Sequence, residues 1–218
     1  MRMRMPLLAG VLSLVSAAPV YACTFYFTSA YMPIPARPTF GAGVMAEFSD
    51  PAGFAVSGDV GMKLGERMVV RPAIGLCSYE VVDRENDPFF GAGVALNLTQ
   101  SATMSLNLQS GISYMSTDFG NTTIVPIGAA ASFRGSGPVS FYAGASLWWQ
   151  QIEVDGGGSD SETDPVLFGG LTGSAGSLGW TLGGQLYMGD DTEFGLVAGL
   201  NFNQAASMIR NLPKLFSK

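Results

Sequence analysis

Residues Phe89 to Met115, FFGAGVALNLTQSATMSLNLQSGISYM, alternate with period two almost from end to end. In the first half Phe90, Ala92, Val94, Leu96 and Leu98 share one side, opposite Gly91, Gly93, Ala95, Asn97 and Thr99. After Gln100-Ser101-Ala102, Met104, Leu106, Leu108, Ile112 and Tyr114 share one side, opposite Ser105, Asn107, Gln109, Gly111 and Ser113. A strand alternates faces at every residue and a helix every 3.6, so this stretch predicts two paired strands.

Period two does not say whether the apolar face meets a protein core or lipid. The other face decides. A soluble sheet fills its solvent side with Lys, Glu, Asp and Thr. Here that side carries Gly, Ala, Ser, Asn, Gln and Thr. Small neutral groups suit a hydrogen-bonded barrel interior, with the aliphatic side turned to hydrocarbon. A strand of about 11 residues rising ~3.3 Å each and tilted ~45° reaches about 25 Å, the height of a membrane's apolar band. The stretch is predicted to be a transmembrane β-hairpin.

The remaining composition agrees. Of 218 residues 47% are hydrophobic and only 13% charged, with 29 glycines, where a soluble domain carries about a quarter charged. Beyond the N-terminus no run approaches the ~18 apolar residues of a spanning helix. Residues 1–22 read as a secretory signal: Arg2 and Arg4 form the positive region, Leu7 to Ala18 the apolar one, and Val20-Tyr21-Ala22 the cleavage site. Losing Arg2 and Arg4 with that leader takes the net charge from −6 to −8. A surface so acidic disfavours nucleic acid, whose phosphates need Lys and Arg.

Cleavage leaves Cys23 first. Val-Tyr-Ala-Cys has the form of a degenerate lipoprotein box, which makes Cys23 a candidate for lipidation. Tyr21 is bulky for that pattern, so an ordinary signal followed by a chance cysteine is the favoured reading over lipidation. A Cys23–Cys77 disulfide, allowed in an oxidising periplasm, is the third. Residues 23–38, with Pro33, Pro35 and Pro38, read as an extended lead-in.

Alternation then predicts a barrel over 39–203: strands near 39–48, 54–64, 68–81, the two of the hairpin above, 123–133, 139–152, 165–172, 178–188 and 192–203. Ten antiparallel up-and-down strands result, with eight as the alternative. Pro72 costs one ladder hydrogen bond, and blurred alternation after Cys77 predicts a bulge there. Longer outer loops are expected at 83–88, 115–122 and 153–164, and brief periplasmic turns opposite them. Charge sorts the same way, with Asp50, Asp87, Asp118 and Asp190 on the outer side and Lys63, Arg67, Arg134 and Lys214 on the periplasmic side. Arg84 and Glu66 are exceptions. Aromatics gather near strand ends, as in interfacial girdles.

On this architecture the span from 39 to 203 resembles the small bacterial outer-membrane β-barrels of the OmpA-like and opacity-like group. The final strand, FGLVAGLNF, looks like the glycine-plus-terminal-aromatic signal read by their insertion machinery. The chain departs from that pattern by continuing past Phe202. Its tail, 204–218, is expected either as a short amphipathic helix before Pro213, resting Met208, Ile209, Leu212, Leu215 and Phe216 on the inner leaflet, or as a disordered end. The barrel enzymes that the resemblance suggests depend on a histidine.

This chain has none, which removes Ser-His-Asp hydrolysis and His-ligated metal together. No enzyme activity and no cofactor are expected. Four inward-facing charges, Glu47, Asp59, Lys63 and Arg71, are expected to pair within the lumen, because an unpaired buried charge is costly. The acidic outer loop, with Glu153, Asp155, Asp160, Glu162 and Asp164, lacks the spacing of a calcium loop. It reads as a solvated loop, or one bridging loosely through divalent cations to lipopolysaccharide. The leading expectation is an integral outer-membrane protein with a structural or surface-interaction role, in contact with outer-membrane lipid. A narrow passive pore for small solutes is the alternative, and a soluble barrel with inverted faces the third. The sequence leaves the oligomeric state open.

Overall fold

The computed structural model describes residues 41–50, 53–79, 86–101, 103–117, 120–134, 138–175, 178–189 and 192–202. The predicted signal, lead-in and tail lie outside them, as does Cys23. Ten strands run in chain order: β1 (Gly41–Asp50), β2 (Gly53–Leu64), β3 (Met68–Tyr79), β4 (Asn86–Gln100) and β5 (Met104–Thr117), followed by β6 (Gly120–Arg134), β7 (Val139–Val154), β8 (Ser159–Ala175), β9 (Leu178–Met188) and β10 (Thr192–Phe202). Each pairs antiparallel with its sequence neighbour, and β1 pairs with β10 to close the barrel. Closure leaves no edge strand with unpaired backbone groups.

The faces follow the alternation. Ile74, Phe90, Ile112, Ile127, Leu147 and Leu182 lie on the outside, each more than half exposed. Their neighbours in sequence turn inward and are buried: Ala73, Phe89, Ser113, Trp148 and Thr181 among them. A barrel whose outer surface is predominantly aliphatic and aromatic calls for an apolar medium around it. Among the described residues no helix is long and apolar enough to cross a membrane; the crossing is made by strands.

Exposed rings mark two levels on this outer surface. Phe133 faces Phe141 across β6 and β7 near one end. Phe90 and Tyr114 meet near the other, with ring centroids 5.2 Å apart, and Trp149 and Phe194 are exposed there too. From Phe141 to Trp149 along β7 the rise is roughly 20 Å for a tilted strand, close to the ~25 Å of an apolar band. Lys63, Arg67 and Arg134 cluster at the Phe133 end, hereafter the basic end. Asp87, Glu153, Asp155, Asp160, Glu162 and Asp164 gather at the other, the acidic end.

Three local expectations change. Among the described residues, which end at Tyr79 here, no bulge follows Cys77, because β2 and β3 keep one register from Gly53↔Tyr79 to Leu64↔Met68. The irregularity falls instead between Asn97 and Thr99, where Leu98 is extra. It turns Thr99 to the side of Leu106, out of the lumen phase expected for it. The Asn97 amide then donates to the Arg67 carbonyl at 2.7 Å, so the bulge ties β4 to the adjoining turn.

The 115–122 connection is also far shorter than expected, since β5 runs to Thr117 and β6 starts at Gly120. Gly120 takes a φ of 148° and lies against the Glu153 carbonyl, where a β-carbon has no room. The largest change concerns β8. Expected as a short segment over 165–172, it is the longest strand, 17 residues from Ser159 to Ala175.

Candidate functional site

The interior is organised in tiers. Near its middle, on β2 and β3, Arg71 Nη1 donates to Asp59 Oδ2 at 2.6 Å. Both are expected inward residues, and their side chains are only 11% and 4% exposed. The guanidinium packs over Gly61, where a β-carbon would stand 3.3 Å from its Cζ. A glycine there lets the long side chain lie flat along the wall. Lys63 sits further toward the basic end, opposite Val69. Glu47 occupies the β1 position paired with Ala55 and Val197, both buried inner-wall residues; its side chain lies outside the described set. The structure thus joins two of the four charges directly.

Toward the basic end the wall is polar and neutral. Asn107 is fully buried and Gln109 is 4% exposed, and neither amide finds a hydrogen-bond partner among the described residues. Ser105, Ser132, Thr172 and Thr181 complete this tier. It matches the small neutral interior expected from the sequence.

The rest of the interior does not. Phe89, Met115, Tyr142 and Phe168 form one buried cluster with Cys77 and Ala55. Trp148, Tyr187, Val166 and Ile124 form another toward the acidic end, where Trp148 meets Tyr187 edge-on at 5.1 Å and its Nε1 donates to Ser146 Oγ at 2.7 Å. Rings of this size fill a small barrel from within. They fit because glycines one or two strands away give them space. Phe89 lies across Gly75 and Phe168 across Gly144, each ring occupying the place of a β-carbon, and the Tyr142 hydroxyl reaches over β8 to do the same at Gly183.

Most of these residues stand in the inward phase of strands recognised from sequence, so their placement was available there. Phe168 and Val166 had no such signal, because Gly169, Gly170 and Gly173 break the alternation of β8.

Cys77 lies in the first cluster with 0% exposure, level with Ala55. It is disulfide-bonded.

The acidic loop expected over 153–164 is a hairpin with a turn at 155–158 only. β7 carries Glu153, and β8 carries Asp160, Glu162 and Asp164. The strong strand formers of β7, Trp148, Trp149, Ile152 and Val154, hold the weak ones opposite them in register: Trp148↔Asp164, Gln150↔Glu162, Ile152↔Asp160. Gln150 Nε2 donates to Glu162 Oε1 at 2.6 Å. Asp164 is a buried inner-wall residue at 8% exposure, not a solvated loop carboxylate. At the tip Gly157 N donates to the Val154 carbonyl at 2.9 Å, and Gly156 supplies the left-handed φ of 74° that the turn needs. Among the described residues no three His, Cys, Asp or Glu side chains gather as a metal site.

No family model and no curated protein matches the chain. Solved structures resemble it in fold. The translocator domain of the autotransporter NalP from Neisseria meningitidis superposes with a TM-score of 0.52 at 10% identity, covering 90% of this chain and 97% of that one. The Neisserial surface protein A gives 0.36 at 14% identity, over 76% and 94%, and the attachment invasion locus protein of Yersinia pestis 0.34 at 14%, over 75% and 97%. Identities this low speak to the fold alone. With the closed ten-stranded topology and the apolar outer belt, the chain has the fold of the outer-membrane β-barrels.

Proposed function

We propose that this protein is an integral barrel of a bacterial outer membrane that acts at the outer surface, by structural support or surface interaction, and not by conduction or catalysis. In this reading residues 1–22 are the export signal, the acidic end faces outward, and the chain is kin to the OmpA-like and opacity-like group. The observation that carries it is the β7–β8 hairpin. Val154 stands five residues beyond Trp149 of the aromatic level, a rise of about 12 Å on a tilted strand. Its exposed Glu153, Asp155, Asp160 and Glu162 are thereby held clear of the apolar belt on a paired scaffold. Trp148 and Tyr187 fill the interior just below, which argues against an open path.

Carboxylates at that height sit level with lipid headgroups. The partners proposed are outer-membrane lipid and lipopolysaccharide, the latter bridged to the hairpin by divalent cations. The absence of histidine supports a non-enzymatic role.

The test compares the wild type with a variant carrying Glu153→Gln, Asp155→Asn, Asp160→Asn and Glu162→Gln. Both are folded into vesicles and assayed for lipopolysaccharide capture with magnesium and with chelator. Capture that needs magnesium and falls at least fivefold in the variant supports the reading; equal capture sinks it. A steady ohmic conductance from the wild type in planar bilayers supports the narrow-pore alternative in its place.

A further inference from the structure

We propose that the open edge of β8 above the barrel binds an extended peptide segment carrying Lys or Arg at alternate positions. Closure pairs the strands on both sides within the wall, but β8 continues past one of its neighbours. On the β7 side its ladder reaches Ser159, opposite Glu153. On the β9 side pairing stops at Val166, opposite Tyr187. Ser159 to Thr163 are all exposed. Unpaired backbone is tolerable in water and costly in hydrocarbon, which sets this stretch in the aqueous phase.

The hairpin decides which backbone groups face the open side. The Val154 amide donates to the Gly158 carbonyl, and hydrogen-bonded pairs recur at every second residue of an antiparallel ladder. Asp160, Glu162 and Asp164 therefore turn their backbone groups toward β7, and Ser159, Ser161 and Thr163 turn theirs away from it. Two details agree. The Ser161 amide donates to the neighbouring carboxylate, Asp160 Oδ1, at 2.8 Å, not to a facing strand. Pro165, in the same phase, has no N–H to lose, and a strand accepts proline where its nitrogen faces no partner. Such a row of amides and carbonyls is a template for another strand.

The side chains choose the partner. Asp160 and Glu162 project from one face of the open stretch, and Ser159, Ser161 and Thr163 from the other. Toward an added strand, Asp160 and Glu162 hold the non-hydrogen-bonded positions, where facing side chains come closest. No Lys or Arg occurs between Arg134 and Arg210, so β7 to β10 bring no cation to this face. A second copy fits poorly. Two such edges paired antiparallel about Ser161 set Asp160 against Glu162 twice, like charge on like. A strand with Lys or Arg opposite both carboxylates has the complementary pattern. As it docks, the Ser161 amide passes from Asp160 to a peptide carbonyl, and the carboxylate turns to the incoming cation.

The inference rests on the surface-acting reading for the side from which the peptide arrives, and its test separates the two. The folded protein in phosphatidylcholine vesicles is titrated with a fluorophore-labelled Thr-Lys-Thr-Lys-Thr peptide whose ends are blocked, and saturable binding is expected. The same peptide N-methylated at its threonines keeps its charge and loses the donors that face the edge. It is expected to bind at least tenfold more weakly, as is a peptide with Glu in place of Lys. Equal binding by either control overturns the proposal. Thr163→Pro removes an edge donor from the protein's side. Because that N–H faces away from β7, the variant is expected to fold, as judged by heat-modifiable gel mobility. It is expected to lose at least fivefold in peptide affinity and to keep magnesium-dependent lipopolysaccharide capture. A folded variant that binds peptide as the wild type does overturns the proposal; should the variant not fold, the N-methylated peptide decides. Ser161→Cys is expected to stay monomeric under oxidation, and a disulfide-linked dimer would give the edge to a second copy instead. Peptide binding without lipopolysaccharide capture sinks the cation-bridged reading alone, and capture without peptide binding sinks this one alone.

Discussion

Phe168 of β8 lies across Gly144 of β7, its ring standing where a β-carbon would. The contact shows how this barrel obtains a packed interior from narrow means. A glycine on one strand makes room for an aromatic on the next, and the wall keeps its strand spacing. Gly144→Ala forces a methyl into that ring and into the Ala129 carbonyl behind it. The expected loss is about 1–3 kcal/mol, the usual cost of overpacking a filled core. Urea unfolding in lipid vesicles measures it, with Gly157→Ala at the hairpin turn, where only ordinary contacts await a methyl, as the control expected to change little.

Asp59 and Arg71 hold each other in the inner wall. Arg71→Leu leaves the carboxylate buried without its cation, and the expected cost is about 3 kcal/mol. Removing both charges, with Asp59→Leu added, is expected to recover at least half of that loss. A double-mutant cycle in the same unfolding assay checks the coupling. Additive losses would mean that the pair is not an energetic unit.

Ile127 is 64% exposed at mid-height of β6. In hydrocarbon Ile127→Arg is expected to cost about 2–4 kcal/mol, the depth-dependent cost at a bilayer midplane. Arg134→Ala, at the exposed basic end of the same strand, is expected to cost little. A substitution at Ile127 that is as harmless as the one at Arg134 in vesicle folding would place the outer face in water.

The turn 155–158 has space around it. Nothing lies within 4 Å of a β-carbon built on Gly158. An epitope inserted between Gly157 and Gly158 is expected to leave the barrel folded and to bind antibody on intact cells. Labelling that appears only after permeabilisation would put the acidic end in the periplasm and reverse the proposed orientation.

The fold was legible because alternation is a strong signal wherever strands carry large residues on one side only. Nine of the ten strands could be placed from rows such as Phe90 to Leu96 or Phe141 to Trp149. β8 was not legible in full. Its N-terminal half, SDSETD, has poor strand formers, and its C-terminal half is broken by glycines. What holds it is register against β7, a long-range fact that no local window contains. The Asp59–Arg71 pair was visible as four inward charges on neighbouring strands, although which two would bond depends on a register of Asp59↔Ala73. The aromatic interior was partly hidden. Trp148 and Tyr187 stood in the inward phase, yet nothing local announced that their rings would meet over β8. The bonded state of Cys77 was beyond the sequence, since two cysteines so far apart constrain nothing until a topology brings one of them to an inner wall.

Nine of the ten strand pairings are hairpins between neighbours in sequence, and the tenth joins the first strand to the last, Ala42 with Phe202. That pairing sets a timetable. Until β10 exists, a growing chain carries two open strand edges, each ready to pair with any partner it meets. Closing the longest loop comes at the greatest entropic cost and rewards the chain only at the end. The ring is therefore an all-or-none object, which cannot be inserted in part as it emerges, and the cell must deliver the whole polypeptide to the membrane before its final seam is made.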